Sequence, residues 1–256
     1  MERFADRRVL ITGAGSGIGR ATVHRILSEG GTVVGADVND AGLAETMQQA
    51  AEQGRADRLS TVVIDISDED SVRAGVGTAL ETLGGLDALV NAAGILRSAH
   101  THEMPLADWN RIITTNLTGT FLMIRESLPA LLESGRGVIV NFASTSTYFA
   151  HPYMAAYAAS KGGIMSMTHA LAVEYGKQGL RAVAVAPGSI SSDMTDGRGP
   201  GLPEDADFGL FTKLMPILGQ GFAAPDTVAG VVAMLASDDG AFITGTEVRI
   251  DGGTHA

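Results

Sequence analysis

The chain has 256 residues, which fits one α/β domain, and its 45% apolar content with 33 glycines provides for a large core and many tight turns. A formal net charge of −11 argues against nonspecific binding to nucleic acid or anionic membrane, so an anionic cofactor must be held by local geometry. The absence of cysteine excludes disulfides, thiolate metal sites and a thiol nucleophile.

No apolar run approaches the length of a membrane span, and Met1 to Asp6 contains no apolar signal core; a soluble, cytoplasmic protein is expected. Seven short β-type runs are predicted in chain order: Val9–Ile11, Thr32–Ala36, Ser60–Ile64, Ala88–Val90, Gly137–Asn141, Arg181–Ala186 and Val248–Ile250. Between them the apolar spacing becomes helical, at Ala21–Leu27, Ala41–Ala51, Val72–Leu83, Asp108–Leu132, Ala155–Tyr175 and Pro225–Leu235. Strand alternating with helix implies right-handed βαβ crossovers. The fold class is therefore α/β, a doubly wound, parallel, seven-stranded sheet (a Rossmann fold) with helices on both faces.

Directly after the first strand, Thr12-Gly13-Ala14-Gly15-Ser16-Gly17-Ile18-Gly19 leads into a helix. Its glycines let the backbone turn sharply and approach a pyrophosphate, whose charge meets free N–H groups at the helix N-terminus. An acid at the end of the second strand, Asp37, lies 18 positions beyond Gly19 and is placed to accept both ribose hydroxyls of the adenosine half. It would repel a 2′-phosphate, and no Arg or Lys lies between Gly31 and Arg55 or at Gly15 or Ser16, so NAD is preferred over NADP. Asp65, followed by Ile66, ends the third strand and Asn91-Ala92-Ala93-Gly94 the fourth, both at the carboxyl edge where such sheets bind ligands. Asp65 fits two uses, accepting a bond from the adenine amine or capping the helix that begins near Asp68.

Asn116 falls inside the predicted helix Asp108–Leu132, where an amide is unfavourable unless its side chain or a freed backbone carbonyl is used; a water held there could link Lys161 to solvent. Ser144 follows the fifth strand, thirteen residues before Tyr157, and its hydroxyl is placed to donate to a substrate oxygen. Tyr157 and Lys161 stand at i and i+4 on one helix, so phenol and ammonium share a face. Lowering a phenol from ~10 towards ~7 to 8 takes about 3 to 4 kcal/mol. A cation about 4 Å away at an effective dielectric of about 20, helped by an oxidised nicotinamide, supplies a term of that size.

Gly188 to Ala224 breaks the rhythm, being rich in Gly and Pro, and reads as a lid over a substrate pocket with a short helix near Asp205–Leu214. Leu96, Tyr148, Met154, Met194 and the lid residues Phe208 and Phe211 suggest a mostly apolar pocket for a modest hydrophobic alcohol or ketone, with His151 and Tyr153 as further wall candidates. The densest histidine cluster, His100-Thr101-His102-Glu103, has neither helical i,i+4 spacing nor cysteine partners, and no metal site is expected.

Thr12–Gly19, Asn91–Gly94, Asn116, Ser144, Tyr157–Lys161 and Pro187-Gly188 together resemble the short-chain dehydrogenase/reductase family over Arg8 to Gly253. The resemblance implies a catalytic tetrad of Asn116, Ser144, Tyr157 and Lys161, with Lys161 also holding the nicotinamide ribose. Cofactor contacts would also come from Pro187, Gly188, Ile190 and Ser192, the last standing where the family often has Thr. It implies a homotetramer too. Pro216–Pro225 is longer than the family's usual Pro-Leu-Gly-Arg pattern and carries Gln220 in place of Arg. A 3-oxoacyl-thioester reductase resembles the sequence overall, but such reductases generally use NADPH, which Asp37 disfavours. A dinucleotide-sensing regulator without catalysis is opposed by the intact Ser144, Tyr157 and Lys161.

Overall fold

The structure, a computed structural model, describes residues 2–192, 201–219 and 221–254. Seven strands make one parallel sheet: β1 (Arg8–Thr12), β2 (Thr32–Asp37), β3 (Leu59–Val63), β4 (Ala88–Asn91), β5 (Val138–Phe142), β6 (Arg181–Pro187) and β7 (Glu247–Ile250). Their spatial order is β3-β2-β1-β4-β5-β6-β7. The direction of winding reverses between β1 and β4, which opens a crevice at their carboxyl ends.

Seven helices connect the strands: α1 (Gly17–Ser28), α2 (Asp40–Glu52), α3 (Glu69–Leu83), α4 (Leu106–Ile113), α5 (Gly119–Glu133), α6 (Ala155–Tyr175) and α7 (Pro225–Ala236). Successive strand residues point to opposite faces, so each near-continuous apolar strand feeds two cores. Val34, Leu10, Leu89, Ile139 and Ala182 are register partners in a row across five strands and face α3, α5 and α6. Their neighbours Val33, Val9, Val90, Val140 and Val183 face α1, α2 and α7 on the other side.

Two predicted helices differ in detail. The stretch expected to be helical over Asp108–Leu132 is broken into α4 and α5 by a π-helical turn, Thr114–Thr118. The extra residue per turn frees the carbonyl of Asn116, which accepts the Thr120 hydroxyl at 2.6 Å. In the lid, the segment expected near Asp205–Leu214 is a 3₁₀ helix, Phe208–Leu214, capped by Asp207, whose Oδ1 accepts from the Gly209 amide at 2.8 Å. Met194 and Gln220 lie outside the described residues.

At the amino ends of the strands, far from the crevice, Asp87 is fully buried between β1, β4 and β5. Its carboxylate accepts from the Arg8 amide and Nε (both 2.9 Å) and from Arg136 Nε (3.0 Å). Burial raises this carboxyl, but the bonds from Arg8 and Arg136 outweigh it and hold the group at about 2. Asp87→Asn is expected to cost about 3 kcal/mol in urea unfolding at neutral pH, because it leaves both guanidinium groups without their counter-charge. A carboxyl lowered to about 2 stabilises the fold above its ordinary 3.8 and loses that contribution as it protonates. The deficit should therefore shrink as the pH falls towards 2, and an unchanged unfolding midpoint at neutral pH would rule the clamp out.

Candidate active site

The loop from β1 into α1 is shaped by contacts that exclude side chains. Gly13 has φ +71°, and a Cβ there would lie 2.9 Å from the Ala93 amide nitrogen; one on Gly19 would lie 2.0 Å from the Gly13 oxygen. β1, the loop after β4 and the first turn of α1 are thereby drawn together. α2 and α3 are capped by side chains, Asn39 accepting from the Gly42 amide and Asp68 from the Ser71 amide. α1 has no side-chain cap and no acid in its first turn, so its N-terminal donors turn towards the crevice. A cavity of about 250 Å³ lies there, lined by Gly13, Ser16, Gly17, Ile18, Gly19, Asp37, Asp65, Ile66, Ala92, Ala93, Gly94 and Ser192. It also uses Thr12, from the same glycine-rich motif, and Ala36, Val38, Ile64, Ile95 and Thr115, which the sequence reading missed. Most of these adjoin the named positions at a strand end, whereas Thr115 is brought in by the π-helical turn.

Asp37 holds this loop as well as lining it. Its Oδ2 accepts from the Gly15 amide and its Oδ1 from the Asn39 amide, each at 2.9 Å. Among the described residues no Arg or Lys lines this cavity. Arg20, in the first turn of α1, bonds to the Gly15 carbonyl, Thr46 and Glu45. Asp65 does not cap α3; Asp68 does. Asp65 instead closes a turn on itself, its Oδ1 accepting from the Ser67 amide (2.9 Å) and hydroxyl (2.6 Å). Asn91 lines neither this cavity nor the next. Its buried amide donates to Asn141 Oδ1 and Asn141 Nδ2 to Thr168 Oγ1, both at 2.9 Å, so it ties the sheet to α6.

A second cavity of about 590 Å³ adjoins the first through Ile18, Ala92, Gly94 and Ser192. Ser144, Tyr157, Lys161, Pro187, Gly188 and Ile190 line its inner wall. The Lys161 ammonium is buried, donates to the Phe142 carbonyl at 2.7 Å and lies 5.6 Å from the centre of the Tyr157 ring. Burial pulls Lys161 down to about 8. Burial also raises the Tyr157 phenol above its ordinary value, against a weaker lowering by a hydrogen bond with Ser144. The downward shift expected for Tyr157 is thus not produced by the protein's own groups, because desolvation exceeds what its neighbours return.

The outer wall is apolar and comes from the lid: Leu202, Phe208, Phe211, Leu214, Met215 and Phe222, facing Leu96 and Met154. His151 lines it, with Thr145 Oγ1 at 3.2 Å from its Nε2. Tyr148 does not; its hydroxyl turns outward to the Met165 sulfur. Thr254 reaches the cavity from beyond β7, a position legible in principle because β7 also ends at this edge. Among the described residues no group of His, Asp and Glu could hold a metal ion.

Asn116 is fully buried beside both cavities without lining either. Its Oδ1 accepts from the Ile95 amide at 2.8 Å, and its Nδ2 donates to the Ile95 carbonyl (2.9 Å) and to Ser160 Oγ (3.1 Å). Asn116→Ala would leave a backbone donor and acceptor buried and unpaired. It is expected to lower stability by roughly 2–4 kcal/mol in urea unfolding of the ligand-free protein. A loss below about 0.5 kcal/mol, the level of an ordinary surface change, would show that the clamp is not structural.

The profile of the family described as Enoyl-(acyl carrier protein) reductase matches residues 13–255. The chain is 36% identical over 251 residues to the 3-oxoacyl-[acyl-carrier-protein] reductase of Thermotoga maritima, covering 98% of each chain. It is 38% identical over 258 residues to levodione reductase of Leifsonia aquatica, covering 99% of this chain and 96% of the relative. The crystal structure of a levodione reductase superposes with a TM-score of 0.87 at 35% identity, covering 98% of each chain. That of carveol dehydrogenase from Mycobacterium avium in complex with NAD does so with a TM-score of 0.88 at 28% identity over 99% of each chain. With its seven-stranded doubly wound sheet, glycine-lined crevice and Ser144–Tyr157–Lys161 cluster, the chain belongs to the short-chain dehydrogenase/reductase family of oxidoreductases.

Proposed function

We propose that the protein is an NAD-dependent dehydrogenase of secondary alcohols, or reductase of the matching ketones, with Tyr157 as acid/base. The observation that carries this reading is the convergence of Ser144, Tyr157 and Lys161 on one cavity that joins a second, glycine-lined cavity bordered by Asp37. The whole chain serves as one dinucleotide-binding oxidoreductase domain with residues 188–224 as its lid. When bound, the cofactor would supply a hydride acceptor for the alcohol carbon in its oxidised form and a hydride donor for the ketone in its reduced form.

The uncapped turn Ser16–Gly19 of α1 would hold the pyrophosphate, Asp37 the adenosine ribose and Asp65 with Ile66 the adenine. Ala92, Ala93 and Gly94 would border the cofactor, Lys161 the nicotinamide ribose, and Pro187, Gly188, Ile190 and Ser192 the nicotinamide. Tyr157 takes the substrate hydroxyl proton during oxidation and gives it back during reduction, and Ser144 donates to the same oxygen. Lys161 passes the proton on past Asn116, whose side chain fixes the loop at Ile95 beside it. The mainly apolar wall favours a modest hydrophobic substrate without a charge. A homotetramer, as the family resemblance implies, acting in the cytoplasm completes the reading; no described helix is long and apolar enough to cross a membrane.

Levodione reductase and carveol dehydrogenase, by their names, act on a ketone and an alcohol, in keeping with this reading. The 36% identity to a 3-oxoacyl-[acyl-carrier-protein] reductase keeps thioester reduction as the second reading. Both are tested by assaying secondary alcohols, diols and 3-hydroxyacyl thioesters with NAD and NADP. NAD is expected to be preferred by at least about tenfold in kcat/KM, a difference of ~1.4 kcal/mol, and Asp37→Ser to erase the preference. Tyr157→Phe should lower kcat by about 10²–10⁴-fold while NAD affinity stays within about threefold. Near-normal turnover in that variant would sink the role given to Tyr157, and NADP-dependent turnover of thioesters would promote the second reading.

A further inference from the structure

Tyr153 lies four residues before Tyr157 and has no part in the proton transfer proposed above. Its φ of +65° is shared among described non-glycine residues only by Asp6. A bulky residue keeps such a conformation only where its surroundings hold it. Two segments do so here. Its carbonyl accepts from the Ala99 amide (2.9 Å) in the loop after β4, and its phenol oxygen accepts from the Asp207 amide (2.8 Å) in the lid. Its ring stacks on Phe211 at 6.0 Å between centroids and 25° between planes. His100 meets the other side of the ring edge-on at 5.1 Å, and its Nε2 lies 2.8 Å from Asp205 Oδ1.

The strained backbone thus aims one side chain at the lid through a hydrogen bond, a ring stack and a neighbouring ion pair. Phe208 and Phe211, carried on the turn capped by Asp207, line the cavity that holds Ser144 and Tyr157, whereas Tyr153 does not line it. We infer that Tyr153 is a positioning residue that docks the Phe208–Leu214 turn over the substrate cavity, governing substrate affinity rather than the rate of the chemical step. The inference rests on the reading of that cavity as the substrate site.

The His100–Asp205 pair adds a pH dependence to the dock. Asp205 raises the imidazole, and Glu103 adds to this, while His102 lies 5.7 Å away. A raised histidine contributes fully below its ordinary value of about 6.5, and the contribution fades as pH rises through the raised value. Asp205 is exposed and His100 only partly buried, so the effect should be small and screened by salt.

The test uses the full chain. In ligand-free protein, Tyr153→Phe is expected to speed amide hydrogen exchange at residues 205–214, with the Asp207 amide most affected, and to leave exchange in β4 and β5 unchanged. With a substrate from the alcohol panel, its KM should rise about 2- to 13-fold, the worth of one net hydrogen bond, with kcat and the KM for NAD within about twofold. Tyr153→Gly should relieve the backbone and match the parent in thermal stability while showing the same faster lid exchange, which separates docking from general support of the fold. His100→Gln should flatten the rise of KM with pH above the imidazole range. Unchanged exchange over 205–214 in Tyr153→Phe, or a fall in kcat at constant KM, overturns the inference. If the parent oxidises no alcohol, the reading of the site fails instead, and the exchange result alone decides the docking contact.

Discussion

The hydrogen bond from the buried Lys161 ammonium to the Phe142 carbonyl sets where the chemistry can occur. α6 is small and apolar around most of its circumference, with Ala, Gly, Ser, Ile and Met on every side, so hydrophobic burial alone does not choose its rotation about its axis. Polar ties do. Lys161 to Phe142, Ser160 to the Asn116 amide and Thr168 to Asn141 lie along one side of the helix, and each leaves a costly unpaired group if the helix turns. Tyr157 is aimed at the cavity as a result, four residues before the lysine on the same face.

The same economy of contacts shapes the crevice. Asp37 ties the Gly15 and Asn39 amides together, so a residue that lines the first cavity also sets the loop's shape. Changing it alters loop geometry as well as charge, and a gain of NADP use by substitution there is therefore bounded by the loop it loosens. The π-helical turn does comparable double duty. It brings Thr115 to the first cavity and points Asn116 at the Ile95 backbone, which a regular helix would not do with the same residues.

Short continuous apolar runs such as Val9–Ile11 or Val138–Val140 and helical spacing in Val72–Leu83 are local patterns, and they made the fold legible without a structure. The glycines that line the first cavity were legible because their need for close approach is local too. What sequence periodicity missed depends on which neighbour a side chain meets. Asn91 belongs to the same short motif as Ala92 and Gly94, yet strand pleat turns it towards Asn141 while they face the cleft. Tyr148 and Tyr153 flank His151 in sequence, but one turns to Met165 and the other to the lid. The break at Thr114–Thr118 was hidden for the same reason, since its apolar spacing passes for one continuous helix.

The opposed shifts at Tyr157 and Lys161 bear on direction. Burial raises the phenol and lowers the ammonium to about 8, so near neutral pH the protein's own groups present a protonated tyrosine beside a still mainly charged lysine. On the proposed reading, that is the state of a proton donor, suited to returning a proton to a ketone oxygen. Oxidation of an alcohol needs the phenolate, and the positive charge that would favour it beyond Lys161 belongs to the oxidised nicotinamide. Lys161 loses its own charge as pH rises through about 8, below the raised range in which Tyr157 ionises, so its help to the phenolate is already fading before the protein's own groups allow that phenolate to form. On the proposed reading, the charge that favours the phenolate during oxidation therefore comes chiefly from the oxidised cofactor, and the pH dependence of oxidation reports on the complex, not on Tyr157 alone.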